Sequence, residues 1–194
     1  MDRDDLILKD ILEGLENVYP PHVSDIPDAD MYMDRVIRVL DRLLAGKGKL
    51  SEGSHAVTKT MINNYAKNRL LPSPVDKKYG REHVIFIIFI CYFKSIMSME
   101  EIRAVLTPLA DIYFGKKHGT TVSDIFESAS KMGFRMRDEL KEQIEKGSYP
   151  EGLKAVSGGG EDEFLRRFSV ICELSYEIYI RRKMLDELIK GIMS

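Results

Sequence analysis

Lys59, Asn63, Asn64, Lys67 and Asn68 recur at a spacing that puts them on one face of a short helix, and side chains of these two types can read a duplex. Asparagine bonds an adenine edge through two atoms, whereas lysine meets guanine or a phosphate oxygen. Thr58 or Thr60 caps this helix, because a hydroxyl oxygen accepts a bond from an orphan first-turn amide. Met61, Ile62 and Tyr65 fall on the other side and face a core. The bland alternative is a solvated helix face.

Pro72 and Pro74 follow Leu70 and Leu71, stop the helix and hold the chain extended. Residues 76–81 then make a turn that displays Lys77, Lys78, Tyr79 and Arg81 beside the helix, in the manner of a wing that grips phosphates. Between Val57 and His83 six Lys and Arg stand against two acids in a chain of net charge −2, which leaves +4 here and −6 in the rest. Positive charge confined to one stretch of an acidic protein argues for a dedicated anion-binding face.

The run V-T-K-T-M-I-N-N-Y-A-K-N-R-L-L-P-S-P resembles the recognition helix and following loop of MerR-type winged-helix regulators. K-K-Y-G-R-E-H-V resembles that family's wing and the start of its third helix, and F-K-S-I-M-S-M-E-E-I-R-A-V-L resembles its third-to-fourth helix junction. T-K-T-M-I-N-N-Y with K-K-Y and R-E-H, together with D-A-D-M-Y-M-D-R at 28–35, is similar to a bacterial family catalogued as domain of unknown function 1836. The resemblance spans roughly residues 24–106. It implies DNA contacts at Thr58, Thr60, Asn63, Tyr65 and Lys67, with Lys77 and Tyr79 as a wing pair. Asn63 stands where the MerR pattern usually has Arg, and residues 46–56 replace a tight turn.

These residues need a scaffold, and the apolar periodicity predicts a helical one. Residues 1–23 hold an amphipathic helix over 2–19, with Leu8, Ile11, Leu12, Leu15 and Val18 inward. Within 24–106, Asp28 or Asp30 caps a helix over 31–45 whose stripe is Met33, Val36, Ile37, Leu40, Leu43 and Leu44. Arg35, Arg38 and Arg42 lie outward, where they either pair with Asp34 and Asp41 or touch a DNA backbone. Residues 81–96 are apolar nearly all round and must be central. Ser98 and Glu101 form a capping box for a helix ending near Leu106.

Residues 107–194 read as a C-terminal helical region. Pro108 starts a short helix that buries Leu109, Ile112 and Tyr113, and a long helix over 121–146 turns Val122, Phe126, Met132, Met136 and Ile144 inward. A linker with Gly158, Gly159 and Gly160 leads to a helix over 162–192, whose Phe164, Phe168, Ile171, Leu174, Ile178, Leu185, Leu188 and Ile189 follow a seam near 3.5 residues. That helix is expected to pair two copies of the chain, since two-fold operators commonly match two-fold proteins; the alternative is that it packs within its own chain.

Other classes find little support. His22, His55, His83 and His118 lack ligand spacing to a second His, Cys or carboxylate. No Gly-rich loop runs from a strand into a Lys-Ser/Thr helix. No enzyme activity, cofactor or metal is expected. Cys91 and Cys172 lie in apolar patterns and read as buried thiols. The longest apolar run, Val84 to Phe93, is far short of the about 20 residues a spanning helix needs, and Asp2, Asp4 and Asp5 do not make a signal peptide, so a cytoplasmic location is expected. The sequence thus predicts an all-α protein with a MerR-like winged helix-turn-helix that binds duplex DNA as a transcription regulator. The competing expectation is a helical module that offers the same basic face to an acidic protein.

Overall fold

The computed structural model describes residues 3–18, 20–44, 56–152 and 163–193, so most of the connection at 46–56 and the three glycines at 158–160 lie outside it. Seven α-helices and one two-stranded sheet are present among the described residues. The chain divides into two compact units, Met1–Tyr19 with Gly133–Lys190 and Pro20–Met132 with Gly191–Ser194.

The unit built on Pro20–Met132 contains β1 (Met31–Tyr32), α2 (Met33–Leu44), α3 (Lys59–Lys67), β2 (Lys78–Tyr79), α4 (Arg81–Phe93) and α5 (Met99–Tyr113). It also takes in the first part of a long helix, α6 (Val122–Glu145). Seven of the thirteen residues of α4 are buried, His83 to Ile88 and Ile90. A helix that apolar on every side is stable only with neighbours around it, and α2, α5 and β2 pack on it. The Ser98 and Glu101 capping box forms as expected: the Ser98 amide donates to Glu101 Oε2 at 2.6 Å and the Glu101 amide to Ser98 Oγ at 3.2 Å.

Several expectations are corrected. Helix α2 begins at Met33 and has neither Asp28 nor Asp30 as its cap, because Met31 and Tyr32 pair antiparallel with Tyr79 and Lys78 before the helix starts. Pro108 does not open a new helix. It sits inside α5 on the exposed side, where the missing amide costs one solvent-facing bond, while Ile102, Leu106, Leu109 and Tyr113 continue one stripe across it. Ile112 is consequently exposed. In α6 Met132 and Met136 face solvent, and Ser130 is buried instead, donating to the Pro21 carbonyl at 2.8 Å.

Local chemistry explains how α3 stops. The Arg69 amide donates to the Ala66 carbonyl (3.1 Å) and the Leu70 amide to the Tyr65 carbonyl (2.9 Å), with Arg69 at φ 57°. This is a Schellman end with buried Leu70 over buried Tyr65. Arg69 thereby occupies a left-handed position that disfavours any residue with a Cβ. Arg69→Gly is expected to raise stability by about 0.5–1 kcal/mol once the extra unfolded-state freedom of glycine is counted. A thermal melt checks this, and a lowered midpoint would mean that the arginine side chain contributes more than its backbone costs.

The other unit holds α1 (Arg3–Glu16), the rest of α6, and α7 (Glu163–Met193) as far as Lys190. Ile7 is buried in α1, the one such residue among its described side chains, while Val18 is exposed. The Glu16 carboxylate lies 3.6 Å from Lys141 of α6, and Asp10 lies 3.3 Å from Arg167 of α7. The apolar seam expected to cover α7 is mostly uncovered in the single chain: Phe164, Phe168, Ile171 and Ile178 are more than half exposed, and among the described residues of α7 only Val170 and Ile189 are buried. Cys91 and Cys172 are free thiols that are half-buried rather than enclosed, and burial raises the Cys91 pKa.

Candidate nucleic-acid interface

Helix α3 is set by its cap and by two anchors. Thr58 Oγ1 accepts from the Met61 amide at 3.3 Å, and Ile62 and Tyr65 enter the core. That phase leaves Lys59, Thr60, Asn63, Asn64, Lys67 and Asn68 exposed. Met61 is half-buried at the edge. Helix α2 packs against both α3 and β2, so one element carries the polar helix and the basic turn.

The turn is a tight hairpin. Val75 bridges Lys78, whose amide donates to the Val75 carbonyl at 2.8 Å, and the two residues between them, Asp76 and Lys77, have φ of 49° and 61°. Positive φ at both central positions is the type I′ geometry, which fits the strand twist but favours glycine over lysine at the second position. Lys77 is exposed at the tip and Lys78 lies 5.7 Å over the Tyr32 ring. Tyr32 itself, 62% exposed, has no counterpart among the residues singled out from the sequence, because a tyrosine in a two-residue strand gives no periodic signal.

The structure separates the expected contact residues into three groups. Asn63, Asn64 and Lys67 are exposed on α3 with Thr60, and Lys77 is exposed on the hairpin. Lys59 and Arg81 are engaged: Lys59 Nζ lies 2.6 Å from Asp34, and Arg81 donates to the Ile26 carbonyl at 3.2 Å and lies 3.5 Å from Asp28. The hydrogen bond and charge of Lys59 hold the Asp34 carboxyl below its ordinary pKa. Asn68 closes α3, giving its amide to the Asn64 carbonyl and receiving Arg103 Nε on its own carbonyl at 3.0 Å. Tyr65 and Tyr79 leave the contact set. They are 6% and 5% exposed, and burial pushes Tyr65 up to about 12 and raises Tyr79. A phenol serving as a core plug cannot also reach a groove. Of the six Lys and Arg in this stretch, Lys67, Arg69, Lys77 and Lys78 have no ion-pair partner among the described residues, so their charge is available to an outside anion.

His83 fixes the hairpin to α4. Its Nδ1 accepts from the Gly80 amide at 3.1 Å, which puts the ring proton on Nε2, 3.4 Å from the Ser73 carbonyl. The ring stands edge-on to both Tyr79 and Phe114. Desolvation lowers its pKa, against the opposing influence of the Ser73 bond and the Asp30 charge. Around this junction an open cleft of about 960 Å³ carries Lys78, Arg81, Lys116 and Lys117 but also Asp28, Asp30, Asp76 and Glu82. Its charges are balanced, in contrast to the exposed ends of α3 and the hairpin. Among the described residues no group of three His, Cys, Asp or Glu could hold a metal ion, and no helix is long and apolar enough to cross a membrane.

An all-helical unit with a capped polar helix and a small basic hairpin is the setting in which the comparison with known families falls. The family model described as Domain of unknown function (DUF1836) matches residues 21–128, more than half of the chain, and the protein belongs to that family. The match spans β1 to the first turns of α6 and so contains the whole candidate interface. No curated protein and no solved structure matches the chain.

Proposed function

We propose that the protein binds duplex DNA as a transcription regulator through a MerR-like winged helix-turn-helix, with α2 and α3 as the helix pair and the 75–79 hairpin as the wing. The observation that carries this reading is the outward face of α3. Thr60, Asn63, Asn64 and Lys67 stand exposed on a helix whose opposite side is locked into the core by Ile62 and Tyr65. Asparagines on such a face have the donor and acceptor pair that an adenine edge needs, and Lys67 and Lys77 supply phosphate contacts. The uncovered apolar side of α7 supports pairing of two copies, which would present two such helices to a two-fold site. Sedimentation that finds only monomer at all concentrations would remove the pairing.

Lys67→Ala combined with Lys77→Gly tests the assignment, glycine being chosen because alanine would stay strained at φ 61°. The double variant should weaken binding evenly across sequences and lower the salt slope by about 0.9 for each phosphate no longer neutralised. Asn63→Ala should instead relax preference at one or two base pairs, at about 1–3 kcal/mol per bidentate contact. An unchanged slope, or an equal loss on every sequence for Asn63→Ala, contradicts the assigned roles.

A further inference from the structure

Three arginines on α2 are used neither by the core nor by any ion pair among the described residues. Arg35, Arg38 and Arg42 stand three and four residues apart, so they share one face over two turns. The acids beside them are engaged elsewhere: Asp34 holds Lys59, and Asp41 Oδ1 accepts from the Ala56 amide at 2.9 Å. With Pro27 and buried Val39 as an apolar floor, the three line a groove of about 440 Å³. Arg42 is fixed there by a 2.8 Å bond from Nη2 to the Asp25 carbonyl, which leaves its remaining donors available.

We propose that this groove is a second phosphate-binding surface, one that takes the sugar-phosphate backbone of duplex DNA beside the stretch read by α3. The inference rests on the DNA-binding reading above. Two observations favour a nucleic-acid backbone over an acidic peptide. The groove adjoins the start of the reading helix: Asp34 holds Lys59 of α3 at 2.6 Å, and Arg38 of the groove stands one turn further along α2 from Asp34. The charged groups are also all guanidinium, whose planar fork pairs phosphate oxygens two at a time, and no lysine lines the groove. Helix α2 is thereby both the support of α3 and its own anchor on the backbone.

The test compares the full-length protein with Arg35→Ala/Arg38→Ala and with Arg35→Lys/Arg38→Lys, on the same duplex over a range of salt concentrations. The alanine pair is expected to lower the salt slope by about 1.8, from two phosphates that it no longer neutralises, with base preference and melting temperature unchanged. The lysine pair should restore the slope and only part of the affinity. Wild-type binding with an unchanged slope in the alanine pair would overturn the groove while leaving the DNA reading intact. Absence of wild-type binding to DNA, with capture of a poly-glutamate peptide that the alanine pair no longer holds, would overturn both and assign the face to an acidic protein.

Discussion

Alanine at position 152 is expected to destabilise the unit that contains α7 by about 3 kcal/mol, the upper part of the range for forcing an extra carbon into a packed site. Gly152 lies against the helix backbone itself: a Cβ there would meet the Ser169 carbonyl carbon at 2.8 Å, its oxygen at 2.9 Å and the Val170 nitrogen at 2.9 Å. Side chains can rotate away from such a contact, but a helix backbone has no rotamer to change. The same approach lets the Glu173 carboxylate accept from the Gly152 amide at 2.7 Å and the Glu151 amide at 3.1 Å, so moving the segment outward would break two charge-assisted bonds as well. Thermal unfolding should show a drop on the order of 10 °C in the transition of this unit. A midpoint within a degree or two of wild type would mean that the segment shifts freely and that Gly152 does not clamp α7.

His83→Ala should cost about 2–4 kcal/mol, because it orphans the Gly80 amide and opens a void between Tyr79 and Phe114. His83 also makes stability depend on pH, and the direction follows from its lowered pKa. Unfolded, the imidazole titrates near 6.5; folded, it resists the proton because it is desolvated and its Nδ1 is occupied. The unfolded state therefore binds more protons below about 6.5, so the stability present above that value is lost as pH falls toward the lower folded pKa. His83→Gln keeps an acceptor at the third position of α4 and does not titrate. Its melting temperature should fall less than that of wild type between pH 7.5 and 5. Parallel losses in the two proteins would show that other groups carry the acid sensitivity.

The elements with strong periodicity are readable from the sequence for a physical reason. Helix α4 is apolar on all sides, and the Ser98 and Glu101 box needs only residues three apart, so neither depends on distant contacts. The outward set on α3 is equally local, since Ile62 and Tyr65 fix the phase of the helix and with it the exposure of Asn63, Asn64 and Lys67. What fails depends on tertiary placement. Tyr65 and Tyr79 have polar tips that suit a groove, yet their rings fill the core, and sequence type does not distinguish the two uses. Arg81 and Lys59 count toward the basic surface in the sequence, but their partners Asp28 and Asp34, about fifty and twenty-five residues away along the chain, take them up in the fold. The periodicity of α7 reveals an apolar seam but not what covers it, which tertiary placement decides: among its described residues Val170 and Ile189 are buried in this unit, beside Arg167 and Glu173, which bond Asp10 and the 151–152 backbone.

The most direct test of the central claim is a mobility shift of the purified protein on genomic DNA fragments, including its own promoter region, at two salt concentrations with competitor DNA. A few fragments should remain shifted under competition, with affinity falling steeply as salt rises. No shift on any fragment at low salt would contradict the claim.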